Sequence, residues 1–141
     1  MSSSNNKKST SNNNNRILLV DDENDACLVY KMVLGDNGFE VDSFTDPLLA
    51  LSSFRPNLYD LVVLDVKMPN MTGFQLYQKI KRIDNKVKIC FLTASEMYHE
   101  DYRKEEEAAD IAALDKALFI LKPISNEDLV QQINKIMMMS Y

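Results

Sequence analysis

Three stretches decide the fold: ILLVDDE (17–23), DLVVLD (60–65) and LFILKP (118–123). Each is a short apolar run that stops at charged residues, where turn chemistry begins. Runs of this length followed by helical patterns read as buried parallel strands in βα units. In an open α/β sheet the carboxyl ends of the strands share one edge, and ligands bind in the crevice there. Asp21, Asp22, Asp65 and Lys122, far apart in sequence, are therefore expected to converge on one metal and phosphoryl site.

The remaining pattern supports that geometry. Strands are predicted near 16–20, 39–44, 60–65, 87–92 and 117–121, with helical spacing between them. Ala26, Val29, Tyr30, Val33 and Leu34 follow the spacing of a helix with one buried face, ending near Asn37-Gly38 with Gly38 in a left-handed cap. Asp46-Pro47 supplies an N-cap and an N1 proline before Leu48, Ala50, Leu51 and Phe54. Phe74, Tyr77 and Ile80 mark a helix over 73–82. Ser125 with Asp128 resembles a capping arrangement before Leu129, Val130, Ile133, Ile136 and Met137. The stretch 95–116 is charged at first and Ala-rich later. Its Glu100–Lys104 and Arg103–Glu107 pairs favour an exposed helix. Five strands alternating with five helices predict a doubly wound α/β domain with a five-stranded parallel sheet.

Composition narrows the function classes. Of 141 residues, 45% are apolar and 26% charged, ordinary values for a soluble domain. Residues 1–15, MSSSNNKKSTSNNNN, hold no hydrophobic residue after Met1 and read as a disordered tail, leaving 16–141 as the folded domain. Setting aside Lys7 and Lys8, 14 basic residues face 21 acidic ones, a balance of −7. Direct nucleic-acid binding is not expected of so acidic a surface. No apolar run exceeds five residues, far short of a membrane span or a signal-peptide core. A cytoplasmic protein without membrane contact is the expectation. Cys27 and Cys90 lack metal-ligand spacing and read as inert core thiols.

A single Asp at a strand end is commonly a helix N-cap. Three are another matter, because carboxylates about 4 Å apart repel by about 4 kcal/mol per pair at an effective dielectric near 20. A divalent cation relieves that repulsion, and oxygen-only ligands suit Mg2+. The metal-free cluster is thus expected to be electrostatically strained.

With these residues in view, the chain resembles the receiver domain of two-component response regulators, the family that includes the chemotaxis protein CheY. The resemblance covers 16–138. VDDE (20–23) matches the acidic pair, LDVKMPNMTG (64–73) the phosphoacceptor segment, FLTA (91–94) the switch hydroxyl and FILKP (119–123) the phosphate-contacting lysine. The resemblance implies a CheY-like, flavodoxin-like fold and a phosphoacceptor signalling domain rather than an enzyme. It makes Asp65 the residue that takes a phosphoryl group from a histidine kinase. Asp22, Asp65 and the Lys67 backbone carbonyl would ligate Mg2+, with Asp21 acting through water. Lys122 and the Thr93 hydroxyl would contact the phosphoryl oxygens. Thr93 and Phe119 would form the switch, and Pro123 would follow a cis peptide bond.

Departures from the family pattern concern the output face. Phe119 lacks the hydroxyl of a tyrosine at that position. The stretch between Thr93 and Lys122 holds 28 residues, more than is usual, and LDKAL (114–118) replaces the glycine common before the last strand. Lys67 and Ser95 occupy positions that tune phosphoryl lifetime in the family.

Two other readings compete. A Mg2+-dependent phosphatase with an aspartyl nucleophile would need a second Asp two residues on, where Lys67 stands. A pseudo-receiver that docks partners without phosphorylation would not need the complete Asp21, Asp22, Asp65, Thr93 and Lys122 set. The expected reading is a single-domain response regulator, with no effector region after the last helix. Its expected partners are a histidine kinase and a downstream protein target or phosphotransfer protein. A phosphorylation-dependent homodimer through the 95–138 face is a further expectation, with Tyr98 and Tyr102 as an aromatic pair on it.

Overall fold

The structure is a computed structural model that describes residues 15–94 and 118–139. The tail over 1–14, the helix predicted over 95–116 and its Tyr98–Tyr102 pair lie outside the described residues. The elements in chain order are β1 (Arg16–Val20), α1 (Asn24–Asp36), β2 (Glu40–Phe44), α2 (Pro47–Ser53), β3 (Leu61–Asp65), α3 (Gly73–Ile83), β4 (Lys88–Thr93), β5 (Phe119–Leu121) and α4 (Asn126–Met138). The strands form one parallel sheet in the order β2-β1-β3-β4-β5. The doubly wound α/β expectation therefore holds, with four helices among the described residues where five were expected of the whole chain.

Period-two alternation divides the core between the two faces of the sheet. Leu18, Val20, Val62, Leu64, Ile89 and Phe91 meet Ala50 of α2 and Phe74, Leu76, Tyr77 and Ile80 of α3. Ile17, Leu19, Leu61, Val63, Cys90 and Leu92 meet Cys27, Tyr30 and Leu34 of α1 and Leu129, Ile133 and Ile136 of α4. Because both faces are covered, β1 and β3 read as continuous apolar runs instead of alternating ones. Both cysteines are buried and free.

Helix ends follow side-chain chemistry. Asp46 accepts from the Leu48 amide at 2.9 Å with Pro47 at N1, and Ser125 accepts from the Asp128 amide at 3.1 Å. Thr72 and Gln75 form a full capping box at α3 that the sequence reading did not single out. Gly38 has φ +94°, the left-handed value expected past the end of α1. Two expected core positions are corrected. Val29 is 45% and Leu48 51% exposed. Cys27 takes the inward place on α1, because the buried stripe runs through 27, 30 and 34. In α2, Pro47 and Ala50 are buried and Leu51 packs against the core, leaving Leu48 on the outer side. Among the described residues no helix is long and apolar enough to cross a membrane.

The join between β3 and α3 brings backbone against backbone beside Asp65. The Gly73 amide donates to the Val66 carbonyl at 2.9 Å. A Cβ at Gly73 would lie 2.2 Å from the Asp65 carbonyl oxygen and 3.1 Å from the Val66 Cα. Backbone stands on both sides, so no side chain can yield. Gly73→Ala is therefore expected to destabilise the protein by about 2–3 kcal/mol. A urea melt reads this as a lowered midpoint at unchanged slope, and an unchanged midpoint would refute the close approach.

Candidate metal and phosphoryl site

The site sits at the carboxyl edge of the sheet. Val20 ends β1 and hands the chain to Asp21 and Asp22; Asp65 ends β3, Thr93 ends β4, and Lys122 follows β5. Backbone bonds hold these strand ends in step. The Asp21 amide donates to the Phe44 carbonyl at 3.1 Å, Val66 to Leu92 at 2.9 Å, and Lys122 to Thr93 at 2.7 Å. Positions separated in sequence thus open onto one cleft of about 570 Å3, lined by Asp22, Glu23, Ala26, Tyr30, Asp65, Lys67, Thr93, Ala94, Lys122 and Pro123. The Lys122–Pro123 peptide bond is cis.

Asp21, Asp22 and Asp65 each offer a carboxylate oxygen, and these atoms lie within 4.8 Å of one another. Asp21 is fully buried and Asp65 is 7% exposed. Lys122 Nζ answers this charge, lying 3.1 Å from Asp21 Oδ2, 3.6 Å from Glu23 Oε1 and 3.8 Å from Asp65 Oδ1. Asp21 also accepts the Glu23 amide at 3.0 Å, which fixes the turn leading into α1.

The charges do not balance. Burial pushes the Asp65 carboxyl up to about 7, and the charge of Asp21 adds to the rise while Lys122 opposes it. Burial alone would lower the Lys122 ammonium, but the hydrogen bond to Asp21 and the charges of Asp21 and Asp65 raise it overall. One ammonium cannot satisfy three carboxylates, and the surplus falls on Asp65. The donor set is all oxygen and locally overcharged, which fits a hard divalent ion such as Mg2+.

Around the charges lies an aromatic layer. Phe119 is half-buried and stacks on Phe91 with centroids 5.1 Å apart and planes at 25°. Phe74 of α3 contacts both rings, at 4.9 Å from Phe91 and 6.1 Å from Phe119. Thr93 is buried beside the cleft and Lys67 is exposed at its mouth. Asp21, Asp22, Asp65, Lys67, Thr93 and Lys122 are thus gathered at one edge, and Phe119 lies one layer away.

Three residues at this edge escaped the sequence reading. Glu23 joins the charge cluster from the lip of the cleft, where only its place after the acidic pair could have singled it out. Gly73 is marked by the end of the NMTG turn, but the backbone it meets is not local. Tyr30 fell on the buried face of α1 by periodicity, which cannot separate the core from the end that borders the cleft.

Comparison with known proteins agrees with this geometry. Residues 17–134 match the response regulator receiver domain family. The chain belongs to that family. Receiver domains are signalling phosphoacceptor domains rather than enzymes in the usual sense. The transcriptional regulatory protein RprY of Bacteroides fragilis is 33% identical over 112 residues, covering 78% of this chain and 44% of that one. The chain spans less than half the length of curated relatives such as this. The non-phosphorylated receiver domain of HemR from Leptospira biflexa superposes with a TM-score of 0.75 at 28% identity, covering 90% of this chain and 97% of that one. The response regulator TrrA of Thermotoga maritima, solved in complex with Mg2+-BeF, gives a TM-score of 0.67 at 29% identity, covering 86% and 98%.

The raised Asp65 carboxyl sets a pH dependence. Its folded value of about 7 exceeds the ordinary 3.8, so the native metal-free state binds the extra proton between them. Stability contributed this way is present near pH 4 to 5 and is lost as pH rises through 7. Asp42 and Asp84 shift downward, so their opposite slope lies at or below the ordinary carboxylate range. Urea midpoints in EDTA should therefore fall between pH 5 and 8. Asp65→Asn should flatten this slope and raise stability at pH 8 by about 1–2 kcal/mol, allowing for solvent screening at the open mouth. Asp21→Asn should instead cost stability, because it strips a buried partner from Lys122. Equal slopes in the native protein and Asp65→Asn would contradict the assignment.

Proposed function

We propose that this receiver domain takes a phosphoryl group onto Asp65 from a histidine kinase, in a Mg2+-dependent reaction, and signals to protein partners through the change that follows. The observation that supports this reading is the overcharged cluster of Asp21, Asp22 and Asp65 at the carboxyl edge of the sheet, with the Lys122 ammonium paired to Asp21 and Asp65. Residues 16–141 act in it as one receiver unit.

Asp22, Asp65 and the Lys67 backbone carbonyl would hold Mg2+, with Asp21 contributing through water. When bound, the ion supplies positive charge to the oxygens of the transferring group. Asp65 brings a carboxylate oxygen to phosphorus; the O–P bond forms as the N–P bond of the donor phosphohistidine breaks, and the bonding pair leaves on the imidazole. Lys122, held by three carboxylates beforehand, then has a phosphoryl oxygen to pair with, and the Thr93 hydroxyl donates to another. The Lys122 amide already binds the Thr93 carbonyl at 2.7 Å, so the two donors move on a common hinge. Inward travel of the Thr93 side chain opens room beside Phe119, whose ring can then settle deeper against Phe91. That couples a local charge to a packing change on the β4–β5 side of the sheet. A downstream target, a phosphotransfer protein or a second copy of the chain would read that side.

Acetyl phosphate with Mg2+ should place one base-labile acyl phosphate on the protein, and the label should vanish in Asp65→Asn and in excess EDTA. Label that persists in Asp65→Asn would move the acceptor elsewhere. Melting with Mg2+ at a hundredfold excess over its Kd should add about 2.7 kcal/mol of stability. Loss of that gain in Asp22→Asn would place this residue among the ion's ligands.

A further inference from the structure

Tyr30 borders the cleft, and the mechanism above gives its hydroxyl no task. It lies on α1, is only 9% exposed, and lines the cleft with Asp22, Asp65, Thr93 and Lys122. A buried phenol hydroxyl ordinarily finds a hydrogen-bond partner. Among the described residues this one has none, and it is not among the buried atoms left unsatisfied away from water. The hydroxyl is thus neither paired nor sealed in, its residue lines the cleft, and the charges that act on it are those of Lys122, Asp21, Glu23 and Asp65. Burial raises its pKa above the ordinary value, with Lys122 as the leading opposing charge, so it stays a neutral donor beside that ammonium.

The most deeply buried acceptor nearby is occupied. Asp21 already takes the Glu23 amide and the Lys122 ammonium, and Lys122 spans the gap to Asp65. A phosphoryl group on Asp65 would bring three strong acceptor oxygens into the space that Tyr30 borders. We propose that the Tyr30 hydroxyl is a further donor of the phosphoryl pocket, binding from the α1 side the oxygen that Lys122 contacts. This rests on Asp65 as the acceptor. It gives the pocket a donor on α1, an element separate from the strands that carry Thr93 and Phe119.

The test is fluoroberyllate, a tetrahedral mimic of the phosphoryl group, added with Mg2+ to the full chain. Tyr30→Phe keeps the ring and removes only the hydroxyl. Its affinity for fluoroberyllate should fall about tenfold, the size of one hydrogen bond to a charged group. The urea midpoint and the affinity for Mg2+ alone should hold. In the native sequence labelled with 3-fluorotyrosine, the 19F resonance that Tyr30→Phe lacks should shift on addition of fluoroberyllate. Equal affinity in Tyr30→Phe, or a resonance that does not move, overturns the proposal. If Asp65 is not the acceptor, fluoroberyllate fails on the native protein too, whereas an error about Tyr30 alone leaves native binding intact.

Discussion

One ammonium among three carboxylates is the interaction on which the rest of the structure depends. Lys122 reaches Asp21 at 3.1 Å and Asp65 at 3.8 Å across strand ends that no local sequence links. Such a cluster is tolerable only in a rigid setting, since a mobile one would spread to reduce its own repulsion. The setting here is the parallel sheet, whose β1 and β3 interiors are sealed on both faces. The core supplies the stability, and the carboxyl edge spends part of it on charges held closer than solvent would allow. Asp65, raised to about 7, is where that strain is concentrated.

That concentration has a chemical meaning. A carboxylate destabilised by its neighbours gains from any event that brings positive charge or removes negative charge at its oxygen. Cation binding does the first; forming a bond from that oxygen to phosphorus does the second. Asp21 cannot play the same part, because its two oxygens are taken by the Glu23 amide and by Lys122. Asp22 is less deeply set than either. Burial and hydrogen bonding therefore distinguish three aspartates that the sequence presents as equals.

Much of this was legible beforehand, for reasons that differ by residue. Buried strands announce themselves as apolar runs, and the handedness rules for βα units place their ends on one edge, so Asp21, Asp22, Asp65 and Lys122 could be brought together without coordinates, while Thr93 was reached only through the family resemblance. Side-chain periodicity was weaker. It set Val29 and Leu48 inside, where the structure exposes them, because α1 and α2 are each covered on a narrower stripe than the apolar pattern allows. Gly73 was invisible for a different reason. Its constraint is a close approach to the Asp65 carbonyl at the other end of the β3–α3 loop, which hydrophobic spacing does not mark.

The aromatic layer shows how the edge communicates with the rest of the fold. Phe119 belongs to the shortest strand, β5, which is bonded to β4 on one side. A three-residue strand supplies few ladder bonds, so its position leans on the stack of Phe119 over Phe91 and on the Lys122 amide bond to Thr93. Both supports meet residues beside the acidic cluster. Phe91 in turn touches Phe74, whose helix begins at the glycine pressed against Asp65. A displacement at Thr93 or Lys122 must therefore move β5 or be resisted by α3. α3 is fixed by its capping box and by backbone contact at Gly73, whereas β5 has a short ladder to β4 and the packing of Ile120. Anchoring at this edge is therefore unequal, firm at the β3–α3 corner and lighter along the short β5 ladder.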